Sequence, residues 1–154
     1  MIDANLGEFF VHRNIANQVP LRDDNVQAVL EFGILNLEVQ HVVVGGHTRC
    51  GGVEAALAGV QEGALGSWLG ELRNLAAIHG EEMGALPGPS ERADRLSEIN
   101  VLAQVKNVLL STPYRTAKGA GAAPTVHGWM FDLSSGLIKE MDLPLEEWAA
   151  EGLL

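Results

Sequence analysis

The hydrophobic positions of the chain alternate between helical and extended patterns. Apolar residues recur every three or four positions over residues 24–36, with Asp24 and Gln27 spaced as a capping box, which predicts an amphipathic helix. A β-branched run over residues 38–44 then stops at a glycine pair, a pattern typical of a strand buried on both faces of a parallel sheet. The aromatic and β-branched segment 8–12 predicts an earlier buried strand.

The second half of the chain continues this alternation. Helical spacing predicts helices over residues 67–79, 91–110 and 144–150, and clusters of proline, glycine and alanine predict loops over 84–89 and 118–123. Residues 125–133 and 136–141 predict a hairpin that turns at Ser134 and Ser135. Since no internal repeat or domain boundary is visible, these elements predict a single α/β domain over residues 1–154.

The composition limits which cellular compartment and which partners are expected. The chain has 154 residues, 47% of them hydrophobic, and one cysteine, Cys50, so an intramolecular disulfide is excluded and a reducing compartment is expected. A formal net charge of −10 disfavours nucleic acid and anionic membranes as partners. The sequence has no run of about 18 apolar residues and no signal-peptide pattern over residues 1–8, so we expect a cytoplasmic protein that does not span a membrane.

The candidate chemistry lies in the glycine-rich turn 45–52 between a predicted strand and a helix. His47 and Cys50 have the H-x-x-C spacing that lets an imidazole and a thiolate converge on one zinc ion. The alternative is a packed cysteine beside a turn histidine. Zinc sites use three or four protein ligands, so a further ligand is required. The candidates are Asp3, His12, His127, Asp23 and Asp24, of which the two histidines are also explained as core residues and the last two as helix-start residues.

A second set of residues is a candidate anion pocket. Arg13 follows the first predicted strand, and its planar guanidinium suits an anion. A structural arginine that ties the strand end to a loop is the alternative. Gly51 and Gly52, beside Cys50, are expected to let the backbone approach a ligand or adopt a positive φ.

Four separated blocks of the sequence carry a family resemblance. In order, they are residues 8–17 (EFFVHRNIAN), 43–53 (VVGGHTRCGGV), 98–105 (EINVLAQV) and 126–137, which contains VHGW and GL. Together they resemble β-class carbonic anhydrase. The resemblance implies an α/β fold with a mostly parallel central sheet flanked by helices. It also implies a homodimer, or a higher oligomer of dimers, with zinc held near the subunit interface.

The same resemblance assigns ligands and reveals a departure from the family pattern. His47 and Cys50 match the family's second and third zinc ligands. The first ligand is the cysteine of a C-x-D-x-R motif that precedes the segment matched by residues 8–17, and this sequence does not contain that motif. The zinc site is therefore expected to be incomplete. Either the sequence is part of a longer enzyme, or it is a homologue that has shed the zinc chemistry.

Three functions stay open on this basis. The first is the family's lyase activity, reversible hydration of carbon dioxide to bicarbonate, which we expect to be impaired or lost. The second is a metal-independent lyase or hydrolase that uses Arg13, His47 and Cys50 on a small carbonyl or carboxylate substrate, with the histidine as base and the thiol as nucleophile. The third is a non-catalytic dimer partner.

Overall fold

The computed structural model describes Asn5 and residues 7–154, which form helices around a small sheet. The helices are α1 (Asp24–Glu31), α2 (Gly51–Leu57), α3 (Gly63–Trp68), α4 (Gly70–Ile78), α5 (Gly80–Gly84), α6 (Pro89–Leu110), α7 (Thr112–Gly119) and α8 (Leu145–Ala150). The strands are β1 (His41–His47), β2 (Thr125–Phe131) and β3 (Ile138–Glu140). A 3-10 turn covers Ile15–Asn17, and a π turn at Phe32–Asn36 continues α1.

The described strands form one sheet in the order β1-β2-β3. Strands β1 and β2 are parallel, and β2 and β3 form the predicted antiparallel hairpin. The α/β fold with a parallel-containing sheet flanked by helices is therefore confirmed. Strand β1 does not stop at the glycine pair as predicted, because Gly45 and Gly46 pair with Trp129 and Met130 of β2 and the ladder continues to His47.

Helix α6 packs on one face of the sheet. A Cβ atom at Gly46 would lie 2.5 Å from Cγ2 of Val101, and one at Gly128 would lie 3.0 Å from Cγ1 of the same valine. Glycine is needed at these two strand positions because α6 approaches the backbone so closely. The opposite face is open, and Val43 there is 39% exposed. The prediction that β1 is buried on both faces is therefore wrong.

The predicted strand 8–12 is also wrong. This segment is not part of the sheet, and Phe9, Phe10 and Val11 are 53%, 49% and 68% exposed. A strand forms only where a neighbouring segment offers hydrogen-bond partners. Within the described residues β1 pairs with β2 alone, so segment 8–12 has no strand to pair with. The ring of Phe10 instead lies 5.7 Å, centroid to centroid, from that of Phe32.

A buried amide network ties the segment after residue 14 to α6. Asn100 is fully buried and donates from Nδ2 to the carbonyl oxygen of Ala16 at 2.8 Å. Its Oδ1 accepts from the side-chain amides of Gln18 and Gln104 at 2.9 and 3.0 Å. Oε1 of Gln104 in turn accepts from the backbone N–H of Val19 at 2.8 Å. The network satisfies polar groups that would otherwise be costly to bury.

Two helix boundaries differ from the sequence prediction. Asp23, not Asp24, caps α1, because its carboxylate accepts from the N–H of Val26 at 2.9 Å. Helix α7 was not predicted, and it occupies the start of the predicted loop 118–123. Its cap is Ser111, and Pro113 lies in the first turn, where the missing N–H of proline costs nothing. The predicted helix 67–79 consists of the end of α3 followed by α4.

The remaining predicted helices are present. Helix α6 covers the predicted span 91–110, and α8 covers the predicted tail helix. Among the described residues, no helix has both the length and the apolar character needed to cross a membrane. The cytoplasmic location and the single-domain organisation stay predictions.

Candidate functional site

The H-x-x-C turn joins the end of β1 to the start of α2. His47 is the last residue of β1, and Cys50 directly precedes the first turn of α2. Glycine was expected to supply any positive φ in this turn, but the left-handed residue is Arg49, with a φ of 53°. The tight turn therefore places an imidazole and a buried thiol on consecutive elements, with Cys50 only 5% exposed.

The hydrogen bond of His47 fixes which ring nitrogen is available. Nδ1 lies 2.9 Å from the carbonyl oxygen of Thr48. A carbonyl oxygen can only accept, so Nδ1 carries a proton, and in the neutral imidazole Nε2 keeps its lone pair. Histidines that bind metals usually donate their other N–H to a carbonyl or carboxylate in this way, which orients the ring. In the neutral ring, Nε2 is therefore the nitrogen of His47 that a metal ion could use.

Two carboxylates that the sequence analysis did not single out hold the turn. Asp94 of α6 accepts from the backbone N–H of Arg49 at 2.7 Å. Asp132, just after β2, accepts from Oγ1 of Thr48 at 3.5 Å, and the same Oγ1 accepts from the N–H of Leu133 at 3.1 Å. Hydrogen bonds therefore connect the turn to both α6 and the end of β2.

The carboxylate of Asp132 is itself held by the following serines. Ser134 donates to Oδ1 from its N–H and its hydroxyl, at 2.8 and 2.7 Å, and the hydroxyl of Ser135 donates to Oδ2 at 2.7 Å. The bonds from Ser134, and then those from Ser135, keep the pKa of Asp132 well below its usual range. The D-x-S-S pattern at the end of a predicted strand was the sequence signal for this turn.

Of the candidate anion residues, the structure places Gly52 against the segment that follows Arg13. A Cβ atom at Gly52 would lie 2.7 Å from Cγ2 of Ile15, so the segment that follows Arg13 packs against the start of α2. Gly51 has open space where a side chain would be, and Arg13 is exposed. The role of Arg13, Gly51 and Gly52 in binding an anion stays a prediction.

Among the described residues, no third candidate zinc ligand lies close to both His47 and Cys50. Over Asn5 and residues 7–154, no three His, Cys, Asp or Glu side chains come close enough to share a metal ion. His12 is exposed rather than a core residue, Asp23 caps α1, and His127 bonds to Glu140. Asp3 lies outside the described residues. The described residues therefore offer two candidate ligands, His47 and Cys50, where a zinc site needs at least three.

The comparisons with known proteins decide the family. A family model for carbonic anhydrase matches residues 1–138. A solved structure of a tetrameric β-carbonic anhydrase from Sordaria macrospora is 39% identical, superposes with a TM-score of 0.84, and shares 89% of this chain and 70% of its own. The chain belongs to the β-class carbonic anhydrase family. The resemblance noted from the four sequence blocks is confirmed.

Other relatives in this family agree. The carbonic anhydrase of Emericella nidulans is 39% identical over 137 residues, which are 89% of this chain and 60% of the relative. That of Candida albicans is 33% identical over 144 residues, 92% of this chain and 51% of the relative. A Coccomyxa β-carbonic anhydrase solved with acetazolamide is 31% identical, with a TM-score of 0.86 over 94% of this chain and 67% of that one. The chain thus spans less than two thirds of the length of the Emericella nidulans and Candida albicans relatives.

Proposed function

We propose that this protein contributes His47 and Cys50 to a zinc site that serves the reversible hydration of carbon dioxide. We further propose that residues 1–154 by themselves are impaired in this reaction. The first part rests on the family and on the tautomer of His47, whose Nδ1–H is held by the carbonyl of Thr48 at 2.9 Å. That bond leaves Nε2 as the only ring nitrogen with a lone pair for a metal ion.

The two donors fit zinc as part of a ligand set. Thiolate and imidazole are both ligands that zinc prefers. When bound, zinc supplies an acidic water, because it lowers the pKa of that water to about 7 and so provides a nucleophile for carbon dioxide at neutral pH. The residues of the chain position the donors: Asp94 accepts from the backbone N–H of Arg49, and Asp132 accepts from the hydroxyl of Thr48. The first turn of α2 follows Cys50 directly.

The proposed impairment follows from counting donors. Catalytic zinc sites keep three protein ligands and one open position. Residues 1–154 contain a single cysteine, so within them no second thiolate supports the ion. With two ligands the ion exchanges readily with solvent, and the proportion of chains that hold it at a given moment is small.

Zinc retention and hydration measured on the same samples test both parts. Residues 1–154 are loaded with zinc and dialysed, and zinc content is measured by elemental analysis and carbon dioxide hydration by stopped flow. We expect less than one zinc per chain and weak hydration. Cys50→Ser and His47→Ala should each remove the remaining zinc, whereas His79→Asn, which changes a surface histidine bonded to Glu82, should leave it unchanged.

Two results would contradict these proposals separately. Zinc retention that survives both Cys50→Ser and His47→Ala would refute the assignment of the ligands. One zinc per chain together with strong hydration, both lost in Cys50→Ser, would support the ligands and refute the impairment.

The burial of Cys50 weighs against the metal-independent enzyme. A nucleophilic thiol must reach the carbonyl carbon of its substrate, and this residue is only 5% exposed. The metal-independent hypothesis would nevertheless replace the zinc enzyme if zinc-free protein turned over a small carbonyl or carboxylate substrate and Cys50→Ser abolished that turnover.

We also propose that the chain self-associates as a dimer or an oligomer of dimers. The support is a run of three exposed apolar side chains, Phe9, Phe10 and Val11, on a segment without sheet partners among the described residues. Light scattering coupled to size exclusion should give at least twice the 16.4 kDa of one chain. Phe9→Glu combined with Val11→Glu should shift the mass towards the monomer; a monomeric wild type would refute the proposal.

A further inference from the structure

Strand β1 has a free edge within the part of the chain that the structure describes, because it pairs with β2 on one side only. Just before β1, the carbonyl oxygen of Gln40 accepts from the N–H of Thr125 at 2.9 Å. Just after it, the N–H of Thr48 donates to the carbonyl oxygen of Phe131 at 3.0 Å. Backbone groups of successive residues point to opposite sides of a strand, so the even-numbered residues face β2. The groups that point away from β2 are the N–H and C=O of His41, Val43, Gly45 and His47.

This edge lacks the features that keep edge strands from pairing with other chains. Exposed edges are commonly short, or they carry charged residues or proline. Strand β3, at the other edge of the sheet, has three residues, and two of them are Lys139 and Glu140. Strand β1 has seven residues and contains no lysine, arginine, aspartate, glutamate or proline. Its middle is also accessible, since Val43 is 39% exposed and Gly45 is exposed.

Residues 10–15 run from one end of β1 to the other. A Cβ atom at Gly33 would lie 3.4 Å from the ring of Phe10. The carbonyl oxygen of Gly33 accepts from the N–H of Val39, which lies just before β1, so the segment begins near the start of the strand. At its other end, Ile15 packs against Gly52 at the start of α2, which follows β1.

The surroundings of β1 leave one side for this segment. Helix α6 packs on one face of the strand, and β2 occupies one edge. The segment does not cover the open face, because Val43 is exposed there. Residues 10–15 therefore lie beside the free edge. No backbone group of the segment pairs with β1, so the two are farther apart than the spacing of about 4.8 Å between paired strands.

A lone extended peptide between β1 and residues 8–12 would provide hydrogen-bond partners for both. It would explain why residues 8–12 have the composition of a strand and yet form none in this chain. A second copy of β1 does not fit the same place. That strand brings its own β2 with it, at the position that residues 8–12 hold. Because Phe9, Val11 and Val43 are exposed and apolar, the peptide that fits is apolar as well.

We propose that the free edge of β1 is a docking site for one extended, apolar peptide strand of a partner chain. The strand lies between β1 and residues 8–12 and forms backbone hydrogen bonds with both. This is strand addition, in which backbone bonds provide the affinity and side chains at alternate positions provide the specificity. The site does not depend on the proposed zinc function.

Amide hydrogen exchange followed by nuclear magnetic resonance tests this docking site on residues 1–154. The probe is a short capped peptide in which valine and threonine alternate between two terminal lysines. At about ten times the dissociation constant of the peptide, exchange at Val43 and Gly45 should slow about 10-fold. Amides within residues 8–12 should also slow. Val42, Val44 and Gly46 are the internal control, because their N–H groups already face β2.

A pair of variants separates backbone pairing from other attraction. Val43→Pro removes an outward N–H but no bond to β2, and its ring stands between the two strands, so it should weaken binding about 10-fold or more. Val43→Thr keeps the N–H and the branched shape and should bind as the wild type does. The same peptide with N-methyl groups at alternate residues should give no protection in either protein, and its lysines control for attraction to the acidic chain.

Four results would overturn the proposal. The first is unchanged exchange at Val43 and Gly45 with saturating peptide. The second is equal protection by the N-methylated peptide. The third is protection of β1 without any change in residues 8–12, which would refute insertion between them. The fourth is protection of Val43 and Gly45 without peptide that is lost on dilution to the monomer, which would make a second copy the occupant.

Discussion

The close approach of α6 to β1 makes Gly46 a sensitive position next to the candidate site. A Cβ atom there would lie 2.5 Å from Cγ2 of Val101 and 2.9 Å from Sδ of Met130, and both side chains belong to the buried core. Contacts this short force the helix or the side chains to move. Because overpacking a core costs about 1–3 kcal/mol, Gly46→Ala should lower the free energy of unfolding by that amount.

The neighbouring glycine is a matched control. Gly45 lies on the open face of the same strand, and a Cβ atom there meets nothing within 4 Å. Gly45→Ala should be neutral or slightly stabilising, because alanine restricts the unfolded chain more than glycine does. Urea unfolding followed by circular dichroism, read as the midpoint at constant slope, compares the two variants. At about 2–4 °C per kcal/mol, Gly46→Ala should also melt about 2–12 °C lower.

Equal stability of the two variants would refute the packing argument. It would mean that α6 stands farther from β1 than the distances at Gly46 indicate, and that the glycine pair before His47 has no steric role in the fold.

Three further contacts are tested by substitution. Asn100→Ala should lower the free energy of unfolding by at least about 2 kcal/mol, measured in urea, because it leaves buried amide partners on Gln18 and Gln104 unpaired. Asp23→Ala should cost about 1 kcal/mol through loss of the cap of α1, and Asp24→Ala should cost less because Asp24 does not cap the helix. Asp132→Asn should destabilise the protein above about pH 4, the ordinary pKa of aspartate. The difference from wild type should shrink as the pH falls below that value, because a carboxylate with a lowered pKa stabilises the fold only while it is ionised.

Each of these has an opposite outcome that would count against its contact. If the Asn100→Ala variant is no less stable than a variant changed at the exposed residue Asn74, the amide network does not stabilise the fold. A larger loss of stability for Asp24→Ala than for Asp23→Ala would show that Asp24, and not Asp23, caps α1. A constant difference between Asp132→Asn and wild type from pH 7 to pH 2 would show that the serine hydrogen bonds do not depend on the charge.

The elements that the sequence predicted well are those whose signal is local. The span 91–110 of α6 was predicted because a long helical period is a local signal, whereas Pro89, which begins the helix, was assigned to the preceding loop. The hairpin of β2 and β3 was predicted from a serine turn between two alternating segments. The pair His47 and Cys50 was found in the same way, since its spacing and its glycine neighbours lie within eight residues.

The failures concern properties that depend on distant residues. Phe9 and Phe10 have the composition of a strand, yet a strand needs a partner that no local pattern can reveal. Gly45 and Gly46 resemble a strand end, but pairing with β2 carries β1 through them. The roles of Asp94 and Glu140 come from contacts across 45 and 13 residues of sequence, so neither could be read from its own neighbourhood.

The buried amide network also determines how the structure opens. The N–H of Val19 donates to Oε1 of Gln104, a side chain of α6 that is 3% exposed. This amide can exchange its hydrogen with solvent only when residues 16–19 separate from the helix. Its exchange should therefore be as slow as that of the central amides of α6, and the segment and the helix should unfold as one cooperative unit. On this expectation, the loop that leads from Arg13 towards the candidate site opens only together with α6.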